Sequence, residues 1–160
     1  MNGKFLNSKE VKEVHKLLNS QYGFCEKLDY YFYKTEKDRL YLINKEIAEI
    51  VDDFKINSLG LYIATIAKGG MIRLTVEGSQ LIGPKCTKNI IELDETKMFE
   101  WFKGEDLIMD GPEGEFVMIK FKTDFIGCGK VREGKILSYL PKARRLVEIN
   151  YSKSCPLQNE

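Results

Sequence analysis

The sequence predicts an α+β protein, with an N-terminal unit of helix and hairpin followed by a small mixed β-barrel. Three observations carry this prediction. Apolar residues recur at helical spacing only in short stretches such as Val11, Val14, Leu17 and Leu18. Between these stretches lie many short runs rich in β-branched and aromatic residues, each bounded by turn formers. Gly69-Gly70 then breaks the chain, which divides it into an α+β unit at 1–69, a mostly β unit at 70–150 and a loosely ordered tail at 151–160.

The elements follow in order. Asn7 with Glu10 three residues later forms a capping box for a helix from Asn7 to Asn19, ended by Gly23. His15 falls at the edge of its apolar face. Asp29 to Lys34 is dense in aromatics and reads as a strand. The polar stretch Thr35-Glu36-Lys37-Asp38 turns it into a return strand from Arg39 to Ile43. Asn44 caps a second helix, KEIAEIVDD, with Ile47, Ile50 and Val51 inward. Ser58 to Ala67 is a strand. Met71 to Val76 is another, and it runs into Glu77-Gly78-Ser79-Gln80 and a glycine-bracketed turn of helix. Asn89 to Leu93 is a short strand. Asp94 caps a helix whose stripe of Met98, Trp101 and Phe102 reads as core. Strands are then expected at 106–109, 115–121, 125–132 and 134–139, with a last one from Leu146 to Ile149. Closure into a barrel would remove exposed sheet edges.

The chain has 160 residues, 43% of them hydrophobic, enough for one large domain or two small ones with a real core. Lys and Arg number 25 and Asp and Glu 24, so the whole chain does not attract polyanions. The charges are unevenly placed. From Glu92 to Glu115 there are nine acids against Lys97 and Lys103; from Val117 to Arg145, eight bases against Asp124 and Glu133, a local excess of 8 − 2 = +6. Such asymmetry speaks to partners rather than to fold. Cys25, Cys86, Cys128 and Cys155 form no CxxC pair, and His15 is the one histidine, so neither a metal site nor a disulfide framework is expected. The N-terminus MNGKFLNSKEVKEV lacks a secretory h-region, and no apolar run approaches the ~20 residues of a membrane span. The expectation is a cytoplasmic protein with free thiols and no membrane partner.

Residues 71–88, MIRLTVEGSQLIGPKCTK, hold the most specific pattern. A strand that breaks into a short helix leaves backbone N–H groups at the helix start, and Lys85 and Lys88 follow. This corner suits an anion such as a phosphate backbone. Together with Phe102-Lys103-Gly104-Glu105-Asp106-Leu107-Ile108 and Phe125-Ile126-Gly127-Cys128-Gly129-Lys130-Val131, it resembles the PUA domain, an RNA-binding module. The helix, hairpin and helix that lead through Asn57-Ser58-Leu59-Gly60 into the first barrel strand resemble the pre-PUA domain. Over residues 8–149 the chain is similar to archaeal pre-PUA/PUA proteins. These include relatives of a eukaryotic large-ribosomal-subunit biogenesis factor and PUA proteins associated with RNA cytosine-5 methyltransferases.

The resemblance implies RNA binding without catalysis, by an accessory protein in rRNA or tRNA maturation or ribosome biogenesis. It places structured RNA on Gly78, Ser79, Gln80, Leu81, Ile82, Gly83, Pro84, Lys85 and Lys88. The basic block adds Lys120, Lys122, Lys130, Arg132, Lys135, Lys142, Arg144 and Arg145, with the cluster after Pro141 the leading candidate. A second reading is an adaptor that docks an RNA-modifying enzyme or pre-ribosomal proteins. Alternation sends Tyr31 and Tyr33 to one face and Tyr30 and Phe32 to the other; one pair belongs to the core and the other to a partner, the second half or a stacked base. No GxxxxGK[ST] or GxGxxG occurs and no second histidine supports a catalytic pair. Asp94 in the cluster Glu92, Asp94 and Glu95 is a helix cap, and Cys86 beside Lys85 and Lys88 is the nearest approach to a nucleophile. No catalytic residue and no cofactor are expected.

Overall fold

Asn7 fixes where the chain turns helical. Its side chain accepts from the N–H groups of Lys9 and Glu10, and the Glu10 carboxylate accepts from Asn7 N at 2.9 Å, so the expected capping box forms. Helix α1 (Ser8–Tyr22) runs three residues further than expected and stops at Gly23, which is left-handed at φ 68. In the computed structural model, which describes residues 2–48 and 60–147, α1 packs on an antiparallel sheet ordered β1 (Gly3–Phe5), β2 (Tyr31–Thr35), β3 (Arg39–Ile43), β4 (Leu61–Ile66) and β5 (Ile72–Leu74). Strand β1 has no counterpart in the sequence reading, because three residues are too few to show a period.

The second sheet is mixed and ordered β6 (Ile90–Glu92), β8 (Phe116–Phe121), β9 (Asp124–Arg132), β10 (Lys135–Ser138) and β7 (Leu107–Ile108), with β6 and β8 parallel. It curls as a half-barrel with β6 and β7 as its edges, so the α+β class holds while full closure does not. Trp101 explains the curl. It comes from α4 (Glu95–Phe102), which Asp94 caps by accepting from Lys97 N at 2.8 Å. Its ring is fully buried and its Nε1 donates to Ile126 O at 3.0 Å. Gly127 sits beneath that ring at φ 140, where a Cβ would lie 3.0 Å from the indole, so β9 bends around the tryptophan only with glycine there.

Several expectations move. Short helix α2 (Lys45–Ala48) starts at Asn44 as foreseen, but Ile47 is 49% exposed rather than inward. Ile50, Val51 and the Asn57–Leu59 stretch lie outside the described residues. The strand from Met71 ends at Leu74, because Thr75 turns the chain into α3 (Val76–Ile82) by accepting from Gly78 N. Gly69-Gly70 forms the hairpin turn between β4 and β5, so the boundary drawn there falls inside the first sheet rather than between the two sheets. Leu146 and Val147 form no strand; Leu146 N donates to Phe102 O at 2.8 Å. The remainder of that stretch and the tail lie outside the described residues.

One core joins the sheets. Val14, Leu18 and Tyr22 of α1, Phe32, Leu40 and Ile72 of the first sheet, and Phe116, Met118, Phe125 and Cys128 of the second pack together. The residues after α1 lock this contact. Gln21 Nε2 donates to Ile72 O at 2.7 Å, and Ile72 N donates to Gln21 Oε1 at 2.9 Å. Tyr22 Oη also donates to Ile72 O, at 2.6 Å. The Gln21 amide thus takes the place of a neighbouring strand along the free edge of β5. On its other side, Tyr22 O accepts from Thr87 N and Lys88 N, and Gln21 O accepts from the Asn89 side chain. Replacing Gln21 by Leu strands the Ile72 N–H without a partner, at a cost of about 2–3 kcal/mol. Urea unfolding of Gln21→Leu should show that loss, and a variant as stable as the parent would refute the clasp.

His15 lies at the edge of the α1 face, as expected, and it is bonded on both nitrogens. Leu28 N donates to Nε2 at 3.1 Å, Nδ1 faces Val11 O at 3.2 Å, and the ring packs edge-on to Phe32. Nε2 as acceptor fixes the neutral tautomer. Burial lowers its pKa, with Lys27 adding to the effect. Protonation therefore favours the unfolded chain: the stabilising contribution is complete above the usual histidine value of about 6.5 and is lost as pH falls below it toward the lower folded value. Stability measured across that window should fall more steeply in the parent than in His15→Gln. Parallel profiles would show that His15 does not titrate this way.

Candidate nucleic-acid interface

The short helix α3 buries most of the pattern that marked it. Gly78 presses against the bulged strand β4, where a Cβ would lie 2.0 Å from Ile63 O. Ser79 is fully buried and its hydroxyl donates to Thr75 O at 2.8 Å. Gly83 lies against the Phe125 ring. These three residues are packing positions, and so is buried Ile82, which corrects their place in the expected RNA surface. The helix start is closed as well, since Thr75 takes the Gly78 N–H. Gln80, Leu81, Pro84, Lys85 and Lys88 remain exposed, but Lys85 Nζ pairs with Glu26 at 2.9 Å.

The basic block does not form one patch. Lys122 does not share a strand face with Lys120; it sits in the β8–β9 turn at φ 53, beyond the end of β8. Arg132 and Lys135 pair at the opposite end of β9, roughly 26 Å away at ~3.3 Å per residue. There Arg132 meets Glu133, and Glu133 N donates to Glu113. Lys120 and Lys130 point to the inter-sheet side, with Nζ 5.9 Å from the Phe125 centroid and 4.9 Å from that of Phe116. After Pro141, the three bases have separate roles. Arg145 Nε donates to Leu140 O, and its guanidinium lies against Gly104, so it anchors the segment that follows β10. Arg144 pairs with Glu77 of α3. Lys142 is exposed.

The structure instead brings together residues that the sequence left apart. A cleft of about 140 Å³ opens between the sheets, lined by Tyr62, Arg73, Thr75, Gly127, Tyr139 and Pro141 among others. The Arg73 guanidinium stacks on Tyr139 at 4.6 Å, Tyr139 packs on Phe116 at 5.9 Å, and Lys130 caps the Phe116 ring. Arg73 has no carboxylate within ion-pair distance among the described residues. A guanidinium held by a ring and not neutralised keeps its N–H fork for a phosphate oxygen. Arg73 carried a signal in the sequence, as the single charge inside the apolar run MIRLTV. Tyr62 and Tyr139 carried none, because their nearness depends on how the two sheets pack.

Burial also sets the state of the thiols. Burial pushes the Cys128 thiol up to about 11 and the Cys86 thiol up to about 12, so Lys85 and Lys88 do not activate Cys86. Among the described residues no group of three metal-ligating side chains converges, and no helix is long and apolar enough to cross a membrane. Alkylation of Cys86 by iodoacetamide at mildly alkaline pH should be at least about tenfold slower in the folded protein than in urea. Equal rates would contradict the burial effect.

The half-barrel curled on the buried Trp101, with its cationic and aromatic seam against the first sheet, is the part of the chain that a known family matches. Residues 88–146 match the model of the family described as the methyltransferase RsmF PUA domain. Over these residues the chain is similar to a PUA domain of the kind associated with RNA cytosine-5 methyltransferases. It is 25% identical over 135 residues to ribosomal RNA small subunit methyltransferase F of Vibrio cholerae, which covers 84% of this chain and 28% of the relative. It is 27% identical over 108 residues to the protein of the same name from Vibrio atlanticus, covering 67% of this chain and 22% of the relative. The likeness thus spans only about a quarter of the relatives' length. An alignment of 135 residues exceeds the 73 from Lys88 to Glu160, so the likeness reaches into the first sheet.

Proposed function

We propose that the protein binds structured RNA, as an accessory factor in ribosomal RNA maturation, and that the cleft between its two sheets receives the RNA backbone. The observation that carries this reading is Arg73, stacked on Tyr139 at the cleft and without a carboxylate partner among the described residues. Lys130 over the Phe116 ring and Lys142 next to Pro141 add positive charge near the cleft. The PUA match and the relatives named for ribosomal RNA methylation support the substrate class, and a cytoplasmic location follows from it. The chain contributes binding in this reading, and any methyl transfer belongs to a separate catalytic unit.

The exposed corner at Lys85 and Lys88, the turn holding Lys122 and the strand ends holding Arg132 and Lys135 serve as outlying phosphate contacts. Lys85, Arg132 and Arg144 already have carboxylate neighbours, which weakens their pull on a polyanion. Affinity for a ribosomal RNA hairpin, followed by filter binding, should fall steeply with salt. Arg73→Ala should weaken it about tenfold at fixed salt, as expected for a desolvated phosphate contact. Lys85→Ala with Lys88→Ala should change it less than about threefold. Salt-independent or absent binding would remove the RNA reading, and the reverse ranking of the variants would move the site to the α3 corner.

A further inference from the structure

The outer face of the first sheet carries two rows of side chains that the cleft alone does not use. Phe5, Tyr33, Tyr41 and Tyr62 stand directly opposite one another on β1, β2, β3 and β4. They form a band of rings running across the strands. Tyr41 and Tyr62 are stacked at 5.1 Å and 26°, and Phe5 meets Tyr33 edge-on at 5.2 Å. Beside this band runs a second register row of Arg39, Thr65 and Arg73 on β3, β4 and β5. The β-bulge between Leu40 and Tyr41 brings the rows together, so that Tyr62 Oη bonds Thr65 Oγ1 and the Arg39 guanidinium lies 5.6 Å over the Tyr62 ring.

Tyr62 and Arg73 belong both to this face and to the cleft, so the two surfaces are continuous. Arg39, like Arg73, has no carboxylate within ion-pair distance among the described residues. The two arginines lie about 10 Å apart, two strand spacings of ~4.8 Å. The opposite face of the same strands supplies Phe32, Leu40, Leu42 and Ile72 to the interior. Arginines beside a row of rings match the two demands of a single-stranded nucleic acid, whose phosphates need cations and whose unpaired bases need π-faces.

We propose that this face is a stacking platform for unpaired bases, with Tyr41 on Tyr62 as its centre and Arg39 and Arg73 holding the adjoining phosphates. A single-stranded segment leaving the cleft passes directly onto it. This rests on the RNA reading above and adds a preference for RNA whose paired region continues into an unpaired tail.

Fluorescence anisotropy of the full chain with one hairpin, blunt or extended by a short uridine tail at either end, tests it. One of the tails should tighten binding roughly tenfold over the blunt form, as stacking of a base on an aromatic ring provides. Tyr41→Ala should abolish the gain while the blunt hairpin binds as before, and Tyr41→Phe, which keeps the ring, should retain it. If the blunt hairpin binds and neither tail adds affinity, or if Tyr41→Ala weakens both forms equally, the platform is refuted while the cleft stands. If neither form binds, the RNA reading falls and the platform with it. A tail without effect, together with an acidic peptide whose binding depends on Tyr41, would assign the face to a protein partner instead.

Discussion

Strand β5 is three residues long and would stand at the edge of the first sheet with its outer backbone groups open to water. The Gln21 amide closes that edge by donating to and accepting from Ile72, and the Tyr22 hydroxyl adds a second donor to the same carbonyl. Backbone groups of Gln21 and Tyr22 then bond the 87–89 segment that leads into β6. One turn at the end of α1 thereby fixes the first sheet, the helix and the approach to the half-barrel to one another. An edge closed by a side chain also cannot recruit a strand from another molecule. Because Ile72 is fixed, so is Arg73 one residue later, and Arg73 is the residue on which the cleft depends.

The second constraint is Trp101. A large ring in the half-barrel needs a strand that can bend around it, and Gly127 and Gly129 supply that bend in β9. A Cβ on Gly129 would lie 2.4 Å from Ile136, so glycine at both positions is required by packing. The bend leaves room between Gly127, Thr75 and Tyr139, which is where the cleft opens. Curvature of the sheet and the position of the site thus share one cause. Cys128, next to Gly127, is sealed into the shared core behind the cleft wall.

Local signals in the sequence were reliable wherever local chemistry decides the outcome. The capping box at Asn7, the cap at Asp94, the apolar stripe through Trp101 and the hairpin at Thr35–Asp38 all form as read, because each depends on residues within one turn of another. The site was legible only in part. Gly78, Ser79 and Gly83 looked like an anion corner because glycines before lysines permit close approach, yet the approaching group is the protein's own Ile63 carbonyl and Phe125 ring. The charges from Lys120 to Arg145 look like one block along the chain, but β9 is long enough to carry its two ends to opposite sides of the sheet. The stack of Arg73 on Tyr139 joins residues 66 positions apart, and no pattern within either segment encodes it.

The claim at the centre of this account is that RNA occupies the seam between the sheets. Backbone amide shifts followed by NMR during titration with a ribosomal RNA hairpin test it most directly. The largest changes should fall on Arg73, Thr75, Gly127 and Tyr139, with smaller ones at Lys130 and Lys142. Changes confined to the Lys85–Lys88 corner or to the β8–β9 turn, with Arg73 and Tyr139 unmoved, would contradict it.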